Sequence, residues 1–258
     1  MGITALNSSE LISKIPCSEP GSVIDKEVQR RGRLREHAWK GELWVGSDYC
    51  LVNGQTGHTQ PHAHYAHQVL IAREGKVQAM IQGQIQHGAV LLVESNQQHA
   101  ILESEQPSIT LFAEPLAFDL EALRHVCLQC GPDLERLIES MRGLKRRRLD
   151  PRLGKALERI RELDDEALPA GILAREAAIS ISQLERLFSG TLGLSVCRLV
   201  LWQRLRHALL LALSGYNLTT AASAAGFSDS AHLSRSVRRQ FGIRSDLSLR
   251  HLKLRVLD

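Results

Sequence analysis

Two groups of residues in this 258-residue chain have the types and spacing to do chemistry. The first is His62-x-His64-x-x-x-Gln68, completed by His99 further along the chain. Neutral imidazoles present lone pairs, so three of them with the weak amide oxygen of Gln68 form a ligand set for zinc, nickel or iron. The same residues also read as ordinary pocket-lining or core histidines, around a small organic effector in the first case, and Gln68 brings no negative charge to offset a cation. His58, His67 and His87 extend the cluster near turns, where solvation is the expected state. The second group is a pair of short polar runs: Ser182, Gln183, Glu185 and Arg186, then Ser230, Ala231, His232 and Arg235. Side chains of this kind on an exposed helix read base edges in the major groove, with guanine the bidentate target of arginine. Arg238 and Arg239 follow the second run and are placed to hold phosphates; for Arg186 and Arg235 an ion pair within the domain is the competing role.

The elements that must position these arginines are visible as a repeat. Ala174 to Ser180 followed by Leu184, Arg186 and Gly193 recurs as Ala222 to Ser228 followed by Leu233, Arg235 and Gly242. Each copy is a short Ala-rich segment, a turn at Ala178-Ile179 or Gly226-Phe227, and a serine expected to cap a second helix. That is a helix-turn-helix pattern, with Gly226 suited to a left-handed turn and Ala178 a poorer fit. Between the copies, Val196, Leu199, Val200, Leu205, Ala208, Leu209 and Ala212 recur at three- and four-residue spacing. The spacing predicts one long helix capped by Ser195, stapled by Leu194 and Leu199 and stopped at Gly215. Such a helix would hold two reading heads at a fixed separation. Leu184, Phe188, Leu233 and Phe241 are expected in the core.

At these residues the chain resembles the DNA-binding domain of the AraC/XylS family of bacterial transcription regulators. The resemblance is carried by Gly226-Phe227-Ser228-Asp229-Ser230-Ala231-His232-Leu233-Ser234-Arg235 with Arg238, Phe241 and Gly242. Ser180, Leu184, Arg186, Leu187, Phe188 and Gly193 match the first unit, and Arg204-Leu205 with Ala208, Leu209 and Leu210 match the joining helix. It implies a sequence-specific regulator whose two recognition helices enter successive major-groove segments. RNA polymerase and a second copy of the chain are implied partners. Ser189, Ser245 and Ala221 depart from the family's usual lysine, proline and larger aliphatic.

The N-terminal half is patterned differently. Leu43-Trp44-Val45, Val69-Leu70-Ile71, Val77 to Ile81, Ala89 to Val93, His99 to Leu102 and Ile109 to Phe112 are short apolar segments separated by turn residues. They predict a small closed barrel over 21–115 with a ligand-sized interior, following a flexible tail over 1–20. The histidine spacing looks like that of the cupin superfamily, with Gln68 where a glutamate is usual. His62 and His64, as alternate residues of one strand, would face the same side, and His99 would approach from the opposite sheet. After Pro115, Phe118, Leu120, Leu123, Val126 and Cys127 form one helical stripe, and Leu134, Leu137, Ile138, Met141 and Leu144 another. This hairpin over 116–148 either packs on the barrel or supplies a dimer surface, as the family resemblance implies. The basic run Arg142, Lys145 to Arg148 marks the linker, either on DNA phosphates or in solvent, and a C-terminal all-α domain over 149–258 begins with the stripe Leu153, Ala156, Leu157, Ile160 and Leu163.

Charge divides the chain at the same place. Residues 1–141 hold 11 Lys+Arg against 17 Asp+Glu, and residues 142–258 hold 21 against 11. A basic C-terminal half is what phosphate neutralisation and counterion release require. The Arg30, Arg31, Arg33 and Arg35 cluster reads as a solvated face rather than a nucleic-acid contact. Five cysteines, an odd number at scattered positions, argue against a disulfide framework, and Cys127-x-x-Cys130 falls in a helical context that fits buried thiols better than redox chemistry. With no signal core or membrane-length apolar run, the expectation is a cytoplasmic protein. The leading reading is therefore a non-enzymatic, homodimeric regulator that senses a small-molecule effector. The alternative is a metal-binding cupin sensor, or a metal-dependent cupin enzyme, joined to a DNA-binding domain.

Overall fold

The alternating segments of the N-terminal half build two sheets rather than one closed barrel. The structure is a computed structural model and describes residues 39–102, 107–161, 170–193 and 195–257. The expected tail, the first part of the expected barrel, the Arg30 to Arg35 cluster, Leu163 and Leu194 lie outside the described residues. Strands β1 (Lys40–Val45), β2 (Tyr49–Gln55), β3 (His67–Ala72), β6 (Val90–Val93) and β8 (Pro107–Ala113) form one sheet with β9 (Leu252–Val256), in the order β6-β3-β8-β2-β1-β9. Strands β4 (Val77–Ile81), β5 (Gln84–Gly88) and β7 (His99–Ile101) form the second, in the order β5-β4-β7. No residue of β5 is buried, so nothing draws that strand across to shut a barrel. The β4–β5 hairpin turns on Gln82 and Gly83, both at positive φ, which is the two-residue turn that matches strand twist.

The central strands are buried on both faces. Leu51, Val69, Ile71, Ile109 and Leu111 point to one side, and Val52, Leu70 and Phe112 to the other. The first side is covered by helices α1 (Leu120–Cys130) and α2 (Leu134–Gly143), started by Asp119 and Asp133, whose carboxylates accept from first-turn backbone N–H groups. Phe118, Leu123, Cys127, Leu137 and Met141 are fully buried there, each contributing about 1.5–3 kcal/mol of apolar burial at most. Of the two roles open to these stripes, packing on the sheet is the one they take within the chain, because the bare apolar face of β3 and β8 lies within its own reach. Cys127 and Cys130 are free thiols inside this layer, and burial pushes Cys127 up to about 12, the state of an inert structural cysteine.

Two arginines of the basic run after α2 are engaged within the chain. Arg146 donates from Nε to Asp48 at 2.9 Å and lies 4.6 Å over the Phe118 ring, while Arg147 donates to the Pro115 carbonyl at 3.0 Å.

The helical region comprises α3 (Pro151–Arg161), α4 (Ala170–Glu176), α5 (Ile181–Leu192), α6 (Val196–Leu213), α7 (Leu218–Ala224), α8 (Ser230–Phe241) and the short α9 (Ser245–Ser248). Leu153, Ala156, Leu157 and Ile160 of α3 are buried, as are Val196, Leu199, Val200, Leu205 and Ala208 of α6. The expected all-α domain is corrected at its end: β9 leaves the helices and pairs in parallel with β1, Gly41 opposite Leu252 through Val45 opposite Val256. Its alternating Leu252, Leu254 and Val256 suit a strand, and Arg255 closes on Glu42 at 3.0 Å. No helix among the described residues is long and apolar enough to cross a membrane.

Candidate functional site

The two polar runs stand where a helix-turn-helix would put its reading residues. In the first unit the turn places Ala178 at φ 54, and Ser180 caps α5 in a full capping box: the Gln183 N–H donates to Ser180 Oγ at 3.2 Å while Gln183 Oε1 accepts from the Ser180 N–H at 3.0 Å. In the second, Gly226 takes φ 73, with the Arg204 guanidinium against it and donating to its carbonyl at 3.3 Å. The expected cap Ser228 is displaced by Asp229, whose carboxylate accepts the His232 N–H at 2.6 Å. Carboxylates cap as well as hydroxyls, and that bond holds Asp229 below its ordinary pKa. Ser195 begins α6 in extended conformation without a side-chain cap bond.

Ser182, Gln183, Arg186, Ala231, Arg235, Arg238 and Arg239 are exposed, and Glu185, Ser230 and His232 are half-buried. Leu184, Phe188 and Leu233 are buried beneath them, whereas Phe241 is only half-buried. Two residues of the polar runs are already engaged: the Gln183 carboxamide oxygen in the capping box, and the His232 ring, with Nδ1 3.2 Å from Ser228 Oγ and its edge on Phe227. Arg186 donates only weakly to the Ser182 carbonyl one turn back, at 3.4 Å.

The structure also gathers His62, His64 and His99. They are buried, and each offers a nitrogen within 4.8 Å of the others. His62 and His64 lie on a loop, not on a strand; an isolated bridge between His62 and His99 does the positioning. Each Nδ1 meets a backbone carbonyl, of Gln60 at 2.8 Å, Ala66 at 2.9 Å and Gln97 at 2.8 Å respectively. A ring that donates from Nδ1 keeps its lone pair on Nε2, so the triad is set in the ligating tautomer. His99 Nε2 is buried without a partner, and His64 Nε2 lies 3.1 Å from Gln68 Oε1. Two acceptors face each other in that last pair unless the amide is turned over or a cation lies between them. Burial, reinforced by the neighbouring imidazoles, holds His62 well below its ordinary pKa and His64 at about 3, and burial lowers His99. Against expectation His58 and His67 are buried too, while His87 is exposed.

Glu114, Arg206, Gln60 and Trp202, which the residue spacing does not single out, join these two groups. Glu114, 3% exposed, accepts from Gln203 Nε2 at 3.0 Å, Arg206 Nη1 at 3.2 Å and Trp202 Nε1 at 3.4 Å, all on α6. Arg206 also donates to the Ser47 and Gly46 carbonyls. Gly242, the left-handed cap of α8 at φ 64, accepts the Gln60 N–H at 2.9 Å. A Cβ there would come within 2.3 Å of the Gln60 carbonyl and 2.7 Å of His62 Nδ1. Phe241 and Trp202 pack on His64 with ring centroids 5.9 and 6.3 Å away. Beside this joint a cavity partly open to solvent is walled by Leu43, Val45 and Phe112 of the sheet and Leu205, Leu209 and Phe241 of the helices, with Asp48, Glu114 and Arg206 at its side.

Two helix-turn-helix units on one linking helix, beside a β-sheet region, define a protein of the tandem helix-turn-helix DNA-binding class. A family model described as "Helix-turn-helix domain" matches residues 173–244. A transcriptional regulator with an AraC-type DNA-binding domain from Chromobacterium violaceum is 30% identical over 36% of this chain and 85% of its own, with a TM-score of 0.35. On that identity the chain belongs to the AraC-type family of DNA-binding transcription regulators. ToxT K231A of Vibrio cholerae, at 9% identity, covers 85% of this chain and all of its own with a TM-score of 0.56, so the two share the two-part fold. Unsaturated-fatty-acid-bound ToxT from the same organism matches at 10% identity over 77% of this chain and 94% of its own, with a TM-score of 0.50. No curated protein gives a match.

Proposed function

We propose that the chain regulates transcription by reading two successive major-groove segments with α5 and α8, under the control of a small apolar effector bound between its β-sheet region and α6. Arg186 and Arg235 read guanines, Ser182, Gln183, Glu185, Ser230, Ala231 and His232 complete the base-facing surface, and Arg238 and Arg239 hold phosphates. Gln183 must release its capping box to make a bidentate contact with adenine. The observation that carries the effector reading is the cavity's lining: its walls are mostly apolar, and they belong to both regions at once. A ligand there biases the placement of α6, and with it both reading heads, to the extent that it prefers one arrangement. The cavity's walls suit an apolar chain, its polar groups are Asp48, Glu114 and Arg206, and the fatty acid bound by ToxT makes that class the first to try. Adding such acids to the full chain on a selected DNA duplex should change the dissociation constant, and Leu205→Trp, which fills the cavity, should abolish the response. A response unchanged in Leu205→Trp would place the effector elsewhere.

A second reading is favoured by the tautomers of the triad. His62, His64 and His99 would hold a divalent transition metal through Nε2, with Gln68 as a weak fourth donor, and the residues present fit such an ion because each imidazole is neutral and back-bonded. The metal would supply a fixed cross-link among three chain segments. Metal analysis of the purified chain, with His62→Ala and His99→Ala as controls, tests it.

A further inference from the structure

We propose that the histidine triad controls DNA affinity: metal occupancy is read by the second recognition helix through the Gln60–Gly242 contact, and tightens DNA binding. The inference rests on the second reading above, and goes beyond it by assigning the triad an output.

The route is short and continuous. His62 is bound at both ends, by backbone bonds to His99 in each direction at 2.9 Å and by its Nδ1 to the Gln60 carbonyl at 2.8 Å. The N–H of that same Gln60 donates to the carbonyl of Gly242, the residue that ends α8. Gly242 touches His62 so closely that no side chain fits between them. One residue earlier, Phe241 packs on both His64 and Trp202, so the triad also meets the helix that carries both reading heads. Whatever fixes the three imidazoles therefore fixes the C-terminal end of α8 against the β-sheet region.

The sign follows from what this contact leaves uncovered. Ala231, Arg235, Arg238 and Arg239 remain exposed with α8 docked, so the docked state does not mask the reading surface. Without a metal, the loop from Gln60 to His64 is held by hydrogen bonds and ring packing; with one, it is also cross-linked to His99. DNA then meets a helix whose placement is already ordered, and the ordering cost is removed from the binding step.

The test uses the full chain, Zn²⁺ as probe, and a duplex selected from random sequence by the full chain in EDTA. Equilibrium dialysis should show one Zn²⁺ per chain, and fluorescence anisotropy should show the DNA dissociation constant about fivefold or more lower with Zn²⁺ than with EDTA. By reciprocity the duplex should raise Zn²⁺ affinity by the same factor. His62→Ala/His99→Ala should lose both Zn²⁺ and the effect of Zn²⁺ on DNA. Gln60→Pro, which removes the N–H given to Gly242 and keeps the Gln60 carbonyl that holds His62, should keep Zn²⁺ binding and lose the DNA response. Absence of bound Zn²⁺ would overturn the metal reading and this inference with it. Bound Zn²⁺ with equal or weaker DNA binding would overturn the coupling alone, and a full response in Gln60→Pro would overturn its route.

Discussion

Arg235 and Arg239 lie four residues apart on α8, and the proposed division of labour between them can be measured directly. Arg235→Ala should weaken binding to a selected duplex by about 1–3 kcal/mol and flatten the preference at one base position, with little loss on scrambled DNA. Arg239→Ala should weaken all sequences alike and reduce the salt slope by about one. Equal losses on selected and scrambled DNA for Arg235→Ala would assign that arginine to phosphate. A second residue-scale consequence concerns His67, whose Nδ1 accepts the Ser95 N–H at 3.1 Å and which burial, helped by Arg147, lowers to about 4. A proton on that nitrogen would face a donor. Because the unfolded state binds the proton more readily, the stability contributed by neutral His67 is complete above its ordinary pKa of 6.5 and is lost as pH falls toward 4. Melting temperatures at pH 7.5 and 5.0 should therefore differ more for the wild type than for His67→Gln; an equal drop would mean that His67 is not the titrating group.

Among the elements, the two turns of the helix-turn-helix units do the same job with different residues. Gly226 adopts its left-handed φ without cost, whereas Ala178 at φ 54 pushes its Cβ toward a carbonyl. Ala178→Gly should leave thermal stability unchanged or raise it, in contrast to the loss of about 1 kcal/mol that alanine-to-glycine costs inside a helix. A loss of that size would show the turn to be relaxed. The repeat was legible because each unit announces itself within about twenty residues by cap, apolar spacing and turn. The strands were legible where apolar residues alternate or run together, as in β3, β4 and β8. They were not where the local signal was missing: β5 is polar and exposed along its length, and β2 contains Asn53-Gly54, which reads as a turn. Asp229 took the cap from Ser228 for a reason composition cannot rank, since both residue types cap well. The stripes of α1 and α2 were visible, but not what covers them, because periodicity gives a face and not its partner.

For the molecule as a whole, the informative contacts are those between residues far apart in sequence. Glu114 ties the end of β8 to three donors on α6, and Arg206 extends that tie to the Gly46 and Ser47 carbonyls. Glu114→Ala would leave those donors in a buried place without their acceptor, and should cost about 3–5 kcal/mol in urea unfolding. Glu114→Gln, which retains an oxygen, should cost less. A loss below about 1 kcal/mol for Glu114→Ala would show that the apolar packing of α6, not the ionic tie, holds the two regions together. None of this was readable from spacing: Glu114, Arg206 and Gln60 are ordinary residues until folding brings them to one place, and the spacing marks Gly242 only as the end of a helix. The histidines were readable as a group, although the strand assigned to them is a loop and the agent that aligns them is a bridge to His99.

The pairing of β9 with β1 sets a timetable. Residues 41–45 emerge early in synthesis, yet their neighbours at 252–256 are made only after both helix-turn-helix units have been synthesised. Until then one flank of the growing sheet offers unpaired backbone groups to any passing strand, its own or another chain's. A nascent protein halted after α8 would thus carry both recognition helices beside an unfinished sheet, and ought to be more prone to clump than the finished one.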